Sequence, residues 1–389
     1  MSRATSIRAT SWRASAAVPI VACGLLAVVV ACLAVAPQLR GAGWSLTALP
    51  RVDANTGLGA VARSVDPGFR TVHPGAYDGQ FYWGVAVDPL ALGAAHASFD
   101  KSSYRYGHPL YGWLGWVASG GQASAAAAAL FVVGLAALAA AGALAAALGR
   151  ARGGSGWEGL LVALNPGLII AAGQDLAEPL AVAVALAAFA ALVAGRRAPA
   201  WLCLALLPLV KEPLLLVVAA VVVYELVARR PRRAALFATA AIPALAWWAY
   251  ARAELGAWFT SGDSALGPPL LGWWRAFAGP FTTAPGLLAH HGPGRVIAVC
   301  LLLGLLALLA AAAVGAVRAF GPVELAYLAL AVLAVCLAPN ATASVATALR
   351  NTAFLLALAP FVIAGPRLLP RPPGGPLGRR QRARTRLSA

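Results

Sequence analysis

Apolar residues in this chain come in long unbroken runs, not in alternation and not as a narrow stripe every third or fourth position. The runs lie at about 16–36, 123–149, 159–172, 179–194, 201–210, 213–228, 234–250, 296–317, 323–338 and 352–364. A helix that is apolar all round belongs in a core or in lipid, and about 20 such residues span the roughly 30 Å hydrocarbon layer. Ten candidates predict an all-α fold, a polytopic transmembrane helical bundle of about ten spans. The 201–210 run is too short to cross as a straight helix and is bounded by Pro208 and Pro213, which predicts a broken or tilted segment. Ala34-Val35-Ala36 has the small-x-small look of a signal-peptide cleavage site, but Pro37 follows directly and disfavours cutting. The first run is therefore expected to be an uncleaved span.

Two polar stretches interrupt the pattern. Residues 37–108 contain no span-length apolar run and form the long first extracytoplasmic loop, with an aromatic, apolar segment from Phe81 to Val87 expected to lie as an interfacial helix. Residues 252–295 form a second large extracytoplasmic loop, and 367–389 a basic, disordered cytoplasmic tail suited to anionic lipid headgroups. The whole of 1–366 then reads as one integral membrane domain. No internal repeat is visible.

Composition agrees. Of 389 residues, 61% are hydrophobic and 11% charged, against roughly 25% charged in soluble domains. This excludes a soluble enzyme, a disordered chain and a disulfide scaffold. The five cysteines (Cys23, Cys32, Cys203, Cys300, Cys336) sit in apolar runs without metal-ligand spacing. A net charge of +17 could suggest nucleic acid, but the charges sort by side. With the N-terminus inside and every run crossing, 19 of the 30 basic residues fall inside, while ten of the 13 acids fall outside. That is a positive-inside pattern. It predicts a multi-pass cell-membrane protein with both termini cytoplasmic, accounts for the basicity, and leaves no nucleic-acid partner to invoke.

The sorting also places the interesting acids on one face. Asp78, at the head of the 81–87 segment, could accept a hydroxyl proton or hold a metal ion; it could equally be a helix N-cap. Asp175 and Glu178 stand three apart, either sharing a helix face or forming a capping box. Lys211-Glu212-Pro213 puts two ions inside apolar sequence, which marks a cavity or a snorkelling lysine with its partner. A lysine beside an outer cavity suits a phosphate, and Arg350, the sole charge of the last outer loop, is a second phosphate candidate. In the 252–295 loop, Trp258, Trp273, Trp274 and Arg275 suit sugar stacking or an interfacial belt, whereas Asp263 and the adjacent His290 and His291 lack ligand spacing. No Walker loop, no G-x-G-x-x-G after a strand, no H-E-x-x-H and no G-x-S-x-G elbow is present.

The run Tyr77-Asp78-Gly79-Gln80-Phe81-Tyr82, then Asp88-Pro89, then Tyr104-Arg105-Tyr106 followed by His108-Pro109-Leu110-Tyr111, resembles bacterial membrane glycosyltransferases of the GT-C superfamily. In style it is similar to those related to the GPI mannosyltransferase PIG-V. The likeness extends loosely to Asp175, Glu178-Pro179 and Lys211-Glu212, and covers the first half of the chain better than the second. It implies an extracytoplasmic active site and transfer of a hexose such as mannose from a polyprenyl-phosphate donor to a cell-envelope acceptor hydroxyl. The expected chemistry is inverting, with Asp78 as catalytic base. Tyr77, Gln80, Tyr82, Arg105, His108, Asp175, Glu178, Lys211, Glu212 and Arg350 are the expected substrate-binding residues. Some members of such families use a divalent metal; many have two adjacent acids where this chain has Asp78-Gly79, so the sequence does not require one. A polytopic transporter or lipid flippase is the alternative reading, since it shares broken helices and buried charges.

Overall fold

A computed structural model describes residues 3–261, 265–278 and 293–364. These residues fold into helices α1 (Arg3–Gly41), α2 (Gly57–Val65), α3 (Gly79–Val87), α4 (Ser102–Arg105), α5 (Leu110–Ala118), α6 (Ala126–Ala151), α7 (Gly159–Ala163), α8 (Pro166–Ala172) and α9 (Glu178–Val193). There follow α10 (Arg197–Val210), α11 (Leu215–Val227), α12 (Pro231–Ala238), α13 (Ile242–Leu255), α14 (Leu271–Ala278), α15 (Pro293–Arg318), α16 (Pro322–Val335), α17 (Val345–Asn351) and α18 (Ala353–Ile363). The only extended pairing among the described residues is two isolated bridges, Asp53 to Val72 and Leu266 to Leu337.

Helix α6 is the central post, with α1 and α9 packed along it. Small residues permit the approach. Ala137, Ala141 and Ala145 repeat every fourth residue on the buried side of α6, and a Cβ on Gly142 would meet the Cys23 carbonyl of α1. In lipid, where tails are as apolar as leucine, close backbone contact between small residues is a main source of helix association. The outward faces carry exposed Val21, Leu25, Leu33 and Val132, together with Leu301 and Leu303 of α15. That is the surface of a molecule whose solvent is hydrocarbon.

The expectation of about ten spans is not confirmed. Among the described residues, four segments are long and apolar enough to cross a membrane: Ala17–Gly41, Ala123–Ala151, Pro231–Leu255 and Val299–Arg318. A fifth is reached if α17 and α18, bent by 58° at Thr352, count as one broken span. The 159–172 run is two short helices, because Pro166 starts a new helix capped by the Asn165 side chain. Helices α9, α10 and α16 are apolar but only 16, 14 and 14 residues long, about 21–24 Å at 1.5 Å per residue and short of the hydrocarbon thickness. Pro208 falls inside α10 near its end and Pro213 follows it, as the flanking prolines anticipated.

The 37–108 segment folds as a layer of short helices. Helix α3 corrects another expectation: it is no surface helix, since Gln80, Tyr82, Trp83, Val85 and Ala86 are buried and it packs on α5 and α6. Its glycines make this possible. A Cβ on Gly79 would collide with the Gln174 carbonyl, and one on Gly84 with the Phe99 ring. Glycine after Asp78 thus lets the head of α3 abut the turn before α9.

Candidate active site

Residues from seven stretches of the chain meet in a cavity of about 400 Å³. Asp78 is at the start of α3, but its side chain makes no cap hydrogen bond, unlike Thr56, which caps α2. Its carboxylate points away from the helix instead. Oδ1 accepts from Arg105 Nη1 at 3.1 Å, and Oδ2 accepts from Arg350 Nη2 at 2.9 Å. The capping account of Asp78 therefore does not apply. Burial pushes its pKa up, but Arg350 and Arg105 outweigh burial and hold the carboxyl below the usual carboxylate range.

Arg350 ties the halves of the chain together. From the last turn of α17 its Nε donates to Glu178 Oε1 at 3.0 Å, its Nη1 to the Tyr77 hydroxyl at 2.7 Å, and its Nη2 to Asp78. Lys211 Nζ donates to the same Glu178 Oε1 at 2.7 Å, while Glu178 Oε2 is buried with no partner. Next to Lys211, Glu212 Oε2 stands 2.9 Å from His108 Nδ1. Arg105 is fixed by Asp100, through Nε at 3.1 Å and Nη2 at 3.2 Å, and by the Phe81 ring, whose centroid lies 3.7 Å below its guanidinium. The same cavity is also lined by apolar side chains: Leu330, Leu333 and Leu337 on and after α16, Phe354 and Leu355 of α18, and Leu266.

Nine of the eleven expected site residues thus line one cavity: Tyr77, Asp78, Tyr82, Arg105, His108, Glu178, Lys211, Glu212 and Arg350. Two do not, and are corrected. Gln80 faces away, its Oε1 accepting the Asp53 backbone N–H at 3.2 Å, so it braces the 37–108 layer. Asp175 is 1% exposed in the turn behind the wall, with a left-handed φ of 48° and neither carboxyl oxygen partnered. Burial drives its carboxyl pKa well above the usual carboxylate range. It caps nothing either, because the residue before α9 is Ala177. Asp88 is also structural: its carboxylate accepts the backbone N–H groups of Leu92, Gly93 and His96 and pairs with the His96 ring at 2.8 Å.

Sequence reasoning missed Lys101 and Asp100. Lys101 lines the cavity and has no acid partner among the described residues, the one cavity lysine or arginine of which that is true. Asp100 holds Arg105. The Ser98-Phe99-Asp100-Lys101 stretch carries no periodicity that would single them out. In the 252–295 loop, Trp258 stacks under Arg252 and Trp273 Nε1 donates to the Ala334 carbonyl at 2.8 Å. Asp263, His290, His291 and the 367–389 tail lie outside the described residues.

The donor set does not fit a divalent metal. Both oxygens of Asp78 and one of Glu178 already accept from arginine or lysine, and among the described residues no three His, Cys, Asp or Glu side chains cluster as ligands. What the arrangement suits is an anion with an apolar body, since cations and leucines line the same cavity. No family model, curated protein or solved structure matches this chain.

Proposed function

We propose that the protein is a membrane glycosyltransferase that moves a hexose, mannose being the first to test, from a polyprenyl-phosphate donor to a cell-envelope acceptor hydroxyl on the extracytoplasmic side. One observation carries the reading: the cavity that gathers Asp78, Arg105, Lys211 and Arg350 is also lined by Leu330 and Leu333 of α16, by Leu337 and by Phe354 and Leu355 of α18. A lipid phosphate likewise joins an anionic head to an apolar chain. The short helices add to it. Glu178 opens α9, which is only 16 residues long, or about 24 Å, so a cavity above it is sunk below the outer surface and within reach of a lipid tail.

In this reading the acceptor oxygen attacks the anomeric carbon from the face opposite the phosphate. The bond from that carbon to the phosphate oxygen breaks, its electron pair leaves with the polyprenyl phosphate, and the hydroxyl proton passes to Asp78. Arg350, Lys211 and Arg105 stabilise the charge that builds on the leaving phosphate, and donors fixed before the reaction do this most effectively. Inversion at the anomeric carbon follows from the single displacement. No step needs a metal.

The test is transfer of radiolabelled mannose from polyprenyl-phosphate mannose to an envelope extract by the full-length protein in liposomes. Labelled product with wild type and none with Asp78→Asn supports the reading. Movement of the labelled donor across the bilayer without transfer supports a transporter instead.

A further inference from the structure

Asp78 presents a difficulty for its proposed role. A carboxylate that accepts from two guanidinium groups has little affinity for a third proton source, and every ionisable group near it adds to or balances that hold. Arg105 reaches it from α4, Arg350 from α17 and Lys211 from the turn after α10; the other ionisable groups facing the cluster are Glu178 of α9 and the hydroxyls of Tyr77 and Tyr82, which burial keeps in the neutral form. The two arginines are not equivalent. Arg105 is anchored independently of Asp78, by two bonds to Asp100 and by the Phe81 ring. Arg350 has no such anchor outside the site: its partners are Asp78, Glu178 and Tyr77, all cavity-lining groups.

Resting on the donor chemistry proposed above, we infer that Arg350 is shared between two anions, Asp78 and the donor phosphate, so that phosphate binding withdraws Arg350 from Asp78 and thereby prepares Asp78 to take the acceptor proton. The physical ground is competition. Arg350 Nη2 already donates to Asp78 Oδ2 at 2.9 Å, so a phosphate oxygen that takes this N–H takes it from Asp78, and the dianionic or monoanionic phosphate is the stronger competitor for the guanidinium. A phosphodiester oxygen makes a charge-assisted, bidentate partner for guanidinium. Glu178 keeps its lysine throughout, so the cavity does not leave it bare. The arrangement gives a compulsory order, donor before acceptor, and keeps Asp78 a poor base while no donor is present.

Binding of farnesyl phosphate, a short lipid monophosphate, to the detergent-solubilised full chain tests this without any acceptor. Farnesol, which lacks the phosphate, is the control. If wild type binds farnesyl phosphate no better than farnesol, the donor chemistry itself fails. If it binds, Arg350→Gln is expected to weaken Kd about tenfold or more, and Arg350→Lys by less. Asp78→Asn, which keeps the shape of the side chain, is expected to tighten Kd about three- to tenfold, because Arg350 is then no longer contested. The deciding comparison is the double variant: the gain from Asp78→Asn should vanish when Arg350 is Gln. An equal gain in both backgrounds means simple repulsion by Asp78, and unchanged affinity in Arg350→Gln means the phosphate sits elsewhere; either overturns the inference. Melting temperatures of the four proteins show which are folded, and Arg350→Lys supplies the cycle if Arg350→Gln is not.

Discussion

Helix α18 runs between two clusters of buried charge that differ in kind. At its head is the Arg350 cluster. At its tail Arg152, at the end of α6, donates to Glu324 at the start of α16 and to the Phe361 carbonyl, and the neighbouring Glu158 accepts the backbone N–H groups of Ser155 and Gly156. Both clusters join distant parts of the chain. The tail cluster is closed: Glu324 is 2% exposed and the adjoining cavity is small, about 140 Å³. The head cluster borders about 400 Å³, leaves Glu178 Oε2 unpartnered, has Asp78 a third exposed, and includes Lys101, which has no acid partner among the described residues. Buried ions alone therefore do not mark a site, since closed pairs also lock helices together; the candidate site is distinguished by ions that share partners beside the larger cavity.

The sharpest break between the clusters comes from one carboxylate in each. Asp78→Asn should lower transfer about 10²–10⁴-fold, the usual worth of a general base, with a smaller drop in melting temperature than Glu324→Gln, because Asp78 is a third exposed and both its arginines keep another acid partner, Asp100 and Glu178. Glu324→Gln should do the reverse. It strands Arg152 in a closed setting, and losing one member of a buried pair costs about 3–5 kcal/mol. The variant should melt earlier, while transfer per folded molecule stays at the wild-type value. Equal loss of transfer in both variants would erase the distinction drawn between head and tail.

Much of this contrast was legible in residue types. The apolar runs gave the all-helical bundle, and ions stranded in apolar sequence gave Lys211 and Glu212. The isolated charge of the last outer loop gave Arg350, although it lies 272 residues from its partner Asp78. What stayed hidden was three-dimensional accounting. Whether a run crosses the membrane depends on helix length after capping, and Asn165-Pro166 splits one apolar run that hydropathy alone reads as continuous. Asp175 and Glu178 share a turn and a residue class, yet a left-handed φ at Asp175 sends one behind the wall and the other into the cavity. Spacing on a regular helix cannot foresee that, because Asp175 is not on the helix.

A smaller effect is expected with pH. Asp78 has its pKa held below the usual carboxylate range by Arg350 and Arg105, so its charged form is favoured in the fold. Its contribution to stability is complete above the unfolded-state pKa of about 3.9 and fades as pH falls through the lower folded value. The acid limb of donor-concentration-limited transfer should accordingly lie below that of an ordinary carboxylate. Arg350→Gln should move this limb to higher pH, read from kcat/KM for the donor across an acidic series. The same substitution should leave the melting curve of the tail cluster's partners unaffected at neutral pH, since Arg350 touches none of them. A limb that does not move would separate Arg350 from the ionisation of Asp78.

The smallest effect should come from Lys101, and it bears on why the head cluster is open at all. Arg105, Lys211 and Arg350 each have an acid partner, so their charges are largely compensated before any ligand arrives. Lys101 is not, which leaves it the cation most able to draw an incoming phosphate toward the cavity mouth. It is half-buried beside Asp100, whose carboxylate is already taken by Arg105. A partly solvated lysine is screened by water and salt, so its removal should weaken donor capture only modestly, about three- to fivefold in donor KM with kcat unchanged. Lys101→Gln should show that rise, Lys101→Arg should retain near-wild-type KM, and the difference between wild type and Lys101→Gln should shrink as salt is raised. An unchanged KM would mean that the paired cations suffice for capture, and that a free charge is not what distinguishes the open cluster from the closed one.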